Sequence, residues 1–295
     1  MKILLTGKNG QLGFELQRTL APLGHIFTID INECNLADPE AVRALIRKVK
    51  PDLIVNPAAY TAVDKAESEP ELAKSVNSIA PAIMAEEAQR INAWIIHYST
   101  DYVFDGSSTR PYLETDSTNP LNVYGVTKRD GDLALQQACA RHLIFRTSWV
   151  VGAHGNNFAK TMLRLASERE SLSIVNDQFG APTSAALLAD TTAQIIGRAQ
   201  RDGLDTLPFG LYNLTASDVT TWHGFACFVL EQAQKNGLSL KVKPEMVKPI
   251  ATADYPLPAK RPANSQLDTT LFQSTFGLTL PDWQDGLNHI LQQIL

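Results

Sequence analysis

A tyrosine and a lysine stand four positions apart in the segment NVYGVTKRDGD, as Tyr124 and Lys128. If the segment is helical, both side chains project from one face. Free tyrosine has a pKa of about 10, but an ammonium ~4 Å away contributes about 4 kcal/mol at an effective dielectric constant of 20, or roughly three pK units. Such a phenol could give a proton to a carbonyl oxygen as hydride arrives at carbon. Spacing alone is more typical of a helix surface, so this chemistry depends on the rest of the chain.

The segment TGKNGQLG supplies a partner for that chemistry. It follows the first apolar run and spaces Gly7, Gly10 and Gly13 so that backbone can approach a pyrophosphate at a helix N-terminus. Asp30 comes 17 residues after Gly13, near the ~20 expected for an acid that binds an adenosine ribose; a strand-end turn is the alternative. No arginine or lysine follows until Arg43, which favours NADH, or dual use with NADPH.

The elements that must position these residues alternate along the first half of the chain. Short apolar runs suit parallel strands that are covered on both faces, and amphipathic segments between them suit helices. This alternation predicts a doubly wound, Rossmann-like parallel sheet with right-handed crossovers. The strand candidates are residues 2–6, 25–30, 52–57, 93–99 and 142–148, with 210–216 as one more, and the third helix is expected to kink at Pro81.

After residue 150 the alternation loosens into a smaller α+β region. We therefore predict a dinucleotide-binding domain of residues 1–147 plus about 185–218. A substrate-binding domain would hold about 148–184 plus 219–295.

Composition limits the partners and the compartment. A net charge of -5 argues against a nucleic-acid or anionic-membrane surface, and no apolar run approaches the ~18 residues of a membrane span. The opening MKILLTGKNG reaches glycine too early for a signal peptide. Three widely spaced cysteines without a C-x-x-C motif suit a reducing compartment. We predict a cytoplasmic protein that acts on a small molecule.

Three segments, TGKNGQLG, STDYVFDG and YGVTK, together resemble the extended short-chain dehydrogenase/reductases. Further segments, among them VNPAAYTAVDKAE, FRTSWV, GNNFAKTML, NDQFGAPT and RPANSQLD, resemble the dTDP-4-dehydrorhamnose reductase family over nearly the whole chain. The resemblance implies reduction of dTDP-4-dehydro-6-deoxy-L-mannose at C4 to dTDP-L-rhamnose, with NADPH or NADH as hydride donor.

The same resemblance implies roles for individual residues. Tyr124 would be the general acid, Lys128 would lower its pKa and hold ribose hydroxyls, and Thr100 would orient the substrate carbonyl. The implied cofactor contacts are Gly7, Gly10, Gln11, Leu12 and Gly13 at the pyrophosphate, Asp30 at the adenosine ribose, Asn35 and Leu36 near adenine, and Ala58, Ala59 and Tyr60 beside the inner ribose. The implied substrate contacts are Thr100, Asp101, Asn156, Asn157 and Trp149, which would offer a flat apolar wall to a deoxysugar. Arg261 suits the substrate diphosphate through its fork of donors, and an exposed proline-rich loop is the alternative.

A metal site is not expected, although some members of this family dimerise around magnesium held by glutamates. Glu15 matches one such position, but Ala186 stands where a second carboxylate is expected, and Mg²⁺ needs oxygen ligands. The sequence leaves a homodimer open.

Two rival functions remain. The same triad serves nucleotide-sugar epimerases, which consume no hydride overall; a 4,6-dehydratase is disfavoured because Asp101 is followed by Tyr102 instead of a second carboxylate. A regulatory subunit resembling the β-subunit of methionine adenosyltransferase is the rival from another class. The intact Tyr124, Lys128 and Thr100 favour an enzyme. His97, within an apolar run, is more typical of a core histidine than of a base.

Overall fold

A computed structural model describes all residues, 1–295. Its strands are β1 Lys2–Leu5, β2 His25–Thr28, β3 Leu53–Asn56, β4 Trp94–Thr100, β5 His142–Thr147, β6 Val150–Val151, β7 Leu172–Val175, β8 Phe179–Gly180, β9 Thr183–Ser184, β10 Gly210–Asn213, β11 Thr220–Thr221 and β12 Val247–Ile250. Its α-helices are α1 Gln11–Leu20, α2 Pro39–Val49, α3 Val63–Ala66, α4 Pro70–Lys74, α5 Ala80–Arg90, α6 Val123–Ala138, α7 Phe158–Glu168, α8 Ala185–Asp202, α9 Trp222–Lys235, α10 Thr270–Phe276 and α11 Trp283–Ile294.

Six strands form one parallel sheet in the order β2-β1-β3-β4-β5-β10. Every residue of β3 and β4 is buried, because helices cover both faces of the sheet. Apolar residues of α1 and α8 pack on one face, and those of α2, α5 and α6 on the other. The predicted doubly wound parallel sheet, including its strand at 210–213, is confirmed.

The site follows from this strand order. From β1 the chain passes to β2 on one side and later to β3 on the other, so a crevice opens at the carboxyl ends of β1 and β3. The loops after β1, β3, β4 and β5 all end at this crevice.

A second apolar core lies outside the sheet. Helices α7, α9 and α11 pack around it, and three two-stranded pairs, β6-β9, β7-β12 and β8-β11, border it. Helix α10 does not pack on this second core, because its Phe272 and Phe276 belong to the core of the six-stranded sheet, beside β10. The domain boundaries drawn from the sequence stay a prediction. None of the helices combines the length and the apolarity that a membrane crossing requires.

The third predicted helix is interrupted before the expected kink. A π-helical turn, Ser75–Ile79, separates α4 from α5, and Pro81 lies in the first turn of α5. Proline has no N–H to give to the carbonyl of Asn77, one turn earlier. That carbonyl instead packs against Gly131 of α6, where a Cβ would lie 2.0 Å from its oxygen.

Glu87 joins α2 to α5 through a buried carboxylate. Its side chain is 2% exposed and accepts hydrogen bonds from Arg47 (2.7 Å) and Arg90 (2.6 Å). These arginines, Arg47 foremost, lower the pKa of Glu87 to about 2, against burial, which raises it. Removing the charge would leave the guanidinium groups without their buried partner.

We expect Glu87→Gln to lower the free energy of unfolding by about 2–3 kcal/mol at pH 7. Because the folded pKa of Glu87 is depressed, its contribution is present above pH 4.5 and is lost as the pH falls through about 2. The matched control is Glu86→Gln, since Glu86 is half exposed and pairs only with Arg43. Urea unfolding at pH 7 and pH 3 measures both; equal losses for the two variants would contradict the account.

Candidate active site

The glycine loop after β1 has the shape that a pyrophosphate cradle needs. Gly7 has φ +58°, and a Cβ on Gly13 would lie 1.9 Å from the Gly7 carbonyl oxygen, so the loop folds against the first turn of α1. Gly10 is the N-cap of α1, and no side chain caps the helix. The first N–H groups of α1 therefore stay available to an anion.

The side chain of Gln11 ties this loop to the second core. It donates to the Val150 carbonyl (3.2 Å) and accepts from the Gly152 N–H (2.8 Å) and from Asn157 (3.0 Å). Asn157 also caps α7 by accepting from the Lys160 N–H (3.1 Å). A sugar contact by the Asn157 side chain would require breaking this arrangement.

Asp30 lies at the end of the cleft beside a second carboxylate. It accepts from the N–H groups of Asn9 (3.0 Å) and Ile31 (2.8 Å), which fixes its orientation. Glu33 accepts from the Asp30 N–H (2.8 Å) and pairs with Lys8 of the glycine loop (2.6 Å). Sequence reasoning searched for a cation only after Asp30 and so missed Lys8, which precedes it.

One cleft of about 620 Å³ gathers most of the predicted residues at the carboxyl edge of the sheet. Those that line it are Gly7, Gly10, Gln11, Leu12, Gly13, Asp30, Ala58, Ala59, Thr100, Asp101, Tyr124, Lys128, Trp149 and Asn156.

Five other predicted residues do not line this cleft; one is Asn157, whose side chain is bound to Gln11 and to the Gly152 carbonyl. Asn35 forms a local turn with the Ala37 N–H, and Leu36 packs against the core under the sheet. The Tyr60 phenol donates to Glu69 (2.7 Å), and Tyr60 does not line the cleft although its neighbours Ala59 and Thr61 do. Arg261 lies at a second cavity.

Tyr124 and Thr100 meet where β4 and α6 face each other. Thr100 ends β4, and Asn122 caps α6 by accepting from the Gly125 N–H (2.8 Å), which fixes the first turn that carries Tyr124. The Tyr124 ring packs edge-on against Tyr102, and its hydroxyl lies near Thr100, whose own hydroxyl donates to Asp101 (3.0 Å). Both residues line the cleft.

The expected lowering of the Tyr124 pKa is wrong for the unliganded protein. Burial raises the pKa of Tyr124 above that of free tyrosine, and the nearby polar side chain of Thr100 offsets this only in part. The ammonium of Lys128 does not oppose it, because its hydrogen bonds run to the Tyr98 carbonyl (2.6 Å) and to His97 Nε2 (3.1 Å). Tyr124 is thus held as a neutral phenol.

Lys128 is itself buried, at 1% exposure, among groups that sequence reasoning did not connect to it. Burial lowers the pKa of Lys128 to about 8, against the attraction of Asp132. Asp132 is one turn along α6, accepts from Ser99 (2.5 Å), and lies 3.9 Å from Arg146. The spacing of four between Lys128 and Asp132 was a signal that could have found this partner.

Asp101 and Trp149 line the same cleft, near Thr100 and Asn156. Asp101 is buried, accepts from Thr100 (3.0 Å), and leaves Oδ2 without a partner. Burial raises the pKa of Asp101 to about 6. Trp149 has φ +46°, a strained value for a bulky residue, and stacks on Trp222 with ring centroids 3.7 Å apart. The two indoles form a flat apolar surface.

A second cavity, of about 1030 Å³, adjoins the cleft, and Tyr102 and Trp222 line both. Arg261 lines it with its guanidinium paired to both oxygens of Asp64 (2.6 and 2.7 Å). The side chain is 15% exposed, so the expected loop cation is mostly enclosed.

Glu15, which by the family resemblance matches a magnesium position, is paired with a cation in this chain. Arg18 lies 3.2 Å from Glu15 and 3.4 Å from Asp190 of α8, and the Arg18 side chain is 64% exposed. No group of three metal-ligating side chains occurs in the chain. The expectation that the chain binds no metal stays a prediction.

Comparisons with known proteins fit this geometry. The family model described as RmlD substrate binding domain matches residues 1–295. A dTDP-4-dehydrorhamnose reductase of Escherichia coli K12 is 53% identical over 298 aligned positions, covering 100% of this chain and 98% of the relative. The chain belongs to the dTDP-4-dehydrorhamnose reductase family.

Solved structures of this reductase family superpose on the whole chain. The dTDP-4-dehydrorhamnose reductase of Clostridium acetobutylicum is 35% identical with a TM-score of 0.90, covering 99% of both chains. That of Bacillus anthracis, solved in complex with NADP, is 32% identical with a TM-score of 0.88 and the same coverage. The family and the Rossmann-like fold expected from the sequence are thereby confirmed.

Proposed function

We propose that this chain reduces dTDP-4-dehydro-6-deoxy-L-mannose at C4 to dTDP-L-rhamnose, with a reduced nicotinamide dinucleotide as cosubstrate. The observation that carries the proposal is that the partly buried Tyr124 and the buried Thr100 line one cleft together with Lys128 and the glycine loop. The cleft begins at the Gly7–Gly13 cradle and opens beside Tyr102 into a second cavity large enough for a nucleotide.

Tyr124 supplies the proton in this account. Bound dinucleotide supplies the hydride, and the substrate oxygen at C4 gains negative charge as hydride arrives. Thr100 and Tyr124 lie on one side of the cleft, where both hydroxyls can hydrogen-bond that oxygen. Because burial keeps Tyr124 protonated, the phenol is ready to donate across the neutral pH range, and an alkoxide is basic enough to accept.

The substrate is proposed to span both cavities. Its sugar would lie against Asp101, Asn156 and the apolar surface of Trp149, which suits a face without a 6-hydroxyl. Its diphosphate would approach Arg261, and the nucleotide would enter the second cavity. Binding then requires Arg261 to share or leave Asp64, because both of its terminal nitrogens are engaged there.

The proposal is tested by mixing purified protein with NADPH and dTDP-4-dehydro-L-rhamnose and following the loss of reduced-nicotinamide absorbance. We expect one dinucleotide oxidised per dTDP-L-rhamnose formed. An epimerase would convert the sugar with no net oxidation. A regulatory subunit would bind dinucleotide and leave the sugar unchanged, and either result would refute the proposal.

The residues at the ribose end of the cleft support a proposal on cofactor choice. Asp30 suits a ribose with a free 2′-hydroxyl, whereas Lys8 could meet a 2′-phosphate only in competition with Glu33. We therefore propose that the chain accepts both dinucleotides and that Glu33 restrains the use of NADPH.

Replacing Glu33 with glutamine should raise the ratio of kcat/KM for NADPH to that for NADH by roughly fivefold at most, because Lys8 loses only an exposed and therefore weak ion-pair partner. Glu40→Gln, which removes the same charge from the exposed first turn of α2, is the control. Initial rates with each dinucleotide measure the ratio. A ratio that moves equally in both variants would show a general charge effect and not a role of Lys8.

A further inference from the structure

A line of buried polar side chains connects the cofactor loop to Lys128. The Ala58 N–H, at the cleft, donates to Thr6 (3.3 Å), and Thr6 donates to Asn56 (2.6 Å). Asn56 contacts His97 Nδ1 (3.0 Å), and His97 Nε2 contacts Lys128 (3.1 Å). The four side chains come from the end of β1, from β3, from β4 and from α6.

Burying a line of polar side chains in the middle of a sheet costs free energy. Thr6, Asn56, His97 and Lys128 are each at most 1% exposed, so each polar atom must find a protein partner. Apolar residues at the same positions would pack without that requirement. Asn56 and His97 are cross-strand neighbours in the register of β3 and β4, which places the amide directly against the ring.

The donors and acceptors along this line determine which ring nitrogen of His97 carries its proton. Thr6 accepts from the Ala58 N–H, so its own hydroxyl proton points at Asn56 Oδ1. The Asn56 Nδ2 group therefore donates to His97 Nδ1. Burial, and secondarily the charge of Lys128, hold the pKa of His97 well below its usual range, so the ring is neutral. Its single proton must then lie on Nε2, facing Lys128.

A proton on His97 Nε2 disfavours the ammonium form of Lys128 and favours its neutral amine form. An ammonium has only donors, whereas an amine nitrogen has a lone pair that can accept from Nε2–H. Asp132 Oδ1, the nearest other acceptor for Nε2–H, is 3.8 Å away, beyond hydrogen-bond range. We propose that Thr6, Asn56 and His97 make the Lys128 ammonium a readier proton donor by holding the ring proton of His97 on Nε2.

The consequence for reduction rests on the proposed function. After Tyr124 has given its proton to the substrate oxygen, the phenolate regains a proton from the Lys128 ammonium across the cleft that both side chains line. The resulting amine accepts a hydrogen bond from His97 Nε2–H, with no proton moved on the ring, and Lys128 regains a proton from water when the cleft is open. Thr6, Asn56 and His97 are positioning residues in this sequence, and Lys128 is the group that exchanges the proton.

Other charges around Lys128 are accounted for. Asp132, from its own helix, favours the ammonium, and Arg146, from β5, offsets part of that attraction at 3.9 Å from Asp132. Tyr124 is neutral before the reaction. The Tyr98 carbonyl, 2.6 Å from Lys128, can accept from the ammonium and from the amine, so the Thr6–Asn56–His97 line is the neutral contact that favours the amine.

The test is the titration of Lys128 in the unliganded full chain, followed by NMR of ¹³Cε-labelled lysine and assigned with Lys128→Arg. We expect wild type to titrate near pH 8, as its pKa indicates. In Thr6→Val the Asn56 amide can rotate so that its oxygen faces His97 Nδ1. The His97 ring proton then moves to Nδ1, and Nε2 accepts from the Lys128 ammonium. The pKa of Lys128 should then rise by about one unit, a tenfold change in its acid dissociation constant.

Thr192→Val is the matched control, because Thr192 is also fully buried but its hydroxyl meets Tyr98 and the α8 backbone on the other face of the sheet. It should leave the titration of Lys128 unchanged. His97→Gln is the second variant, in case Thr6→Val folds poorly; its amide can offer oxygen to the ammonium, and the pKa of Lys128 should again rise.

An unchanged Lys128 pKa in folded Thr6→Val and His97→Gln would overturn the inference, as would a wild-type value near 10.4. The titration needs no substrate, so its outcome is independent of whether the chain reduces the proposed sugar. In an active enzyme the alkaline limb of kcat should move to higher pH in both variants, which a loss of packing alone would not produce.

Discussion

Tyr124→Phe is expected to lower kcat for sugar reduction by about 10²- to 10⁴-fold, the range typical of a lost general acid. The phenyl ring keeps the edge-on contact with Tyr102, while the hydroxyl that meets Thr100 is removed. Hydride transfer would then leave an alkoxide with no proton donor. Dinucleotide affinity, measured by fluorescence titration, should change less than about threefold, because Tyr124 lies at the reacting end of the cleft.

Tyr212→Phe controls for the loss of a buried phenol. Tyr212, a residue of β10, donates to the Pro208 carbonyl and packs in the core of the sheet, away from the cleft. It should reduce stability modestly and leave kcat near wild type. A Tyr124→Phe enzyme with unaffected kcat would remove Tyr124 from the mechanism.

Gly13→Ala is expected to weaken dinucleotide binding roughly 10- to 100-fold. The new methyl carbon would lie 1.9 Å from the Gly7 carbonyl oxygen and 2.7 Å from its carbon, both rigid backbone atoms. The glycine loop must then move away from α1, at a cost of about 1–3 kcal/mol, and the N–H groups of the cradle move with it. Isothermal titration with NADPH and with NADH measures the loss, which should be similar for both.

Gly197→Ala is the matched glycine substitution. Its Cβ would lie no closer than 3.8 Å to any neighbour, at a side chain of Leu23, so the change should stabilise α8 by about 0.5–1 kcal/mol. Its dinucleotide affinity should equal that of wild type. If Gly13→Ala bound both dinucleotides normally, the cradle would not be where we place it.

The sequence predicted the sheet well because periodicity reports burial directly. Continuous apolar runs identified the six parallel strands within a few residues, and the glycine spacing identified the loop after β1. The edge at which parallel strands end then brought Thr100, Asp101, Tyr124 and Lys128 together. Topology alone carries that inference, so it needed no knowledge of side-chain contacts.

What the sequence could not predict depends on the surroundings of single groups. The Tyr124 pKa was assigned the wrong direction, because burial outweighs a nearby cation that binds elsewhere. The pairing of Arg261 with Asp64 joins residues 197 positions apart, which no local pattern reveals.

Deuterium transfer tests the central claim most directly. NADPH carrying deuterium on both faces of nicotinamide C4 is mixed with dTDP-4-dehydro-L-rhamnose and the enzyme, and the product is examined by NMR and mass spectrometry. Our account predicts dTDP-L-rhamnose with one deuterium, located at C4 of the sugar, and with the proton of its new hydroxyl taken from the enzyme and solvent. Product without deuterium at C4, or dinucleotide bound with no deuterated sugar formed, would contradict it.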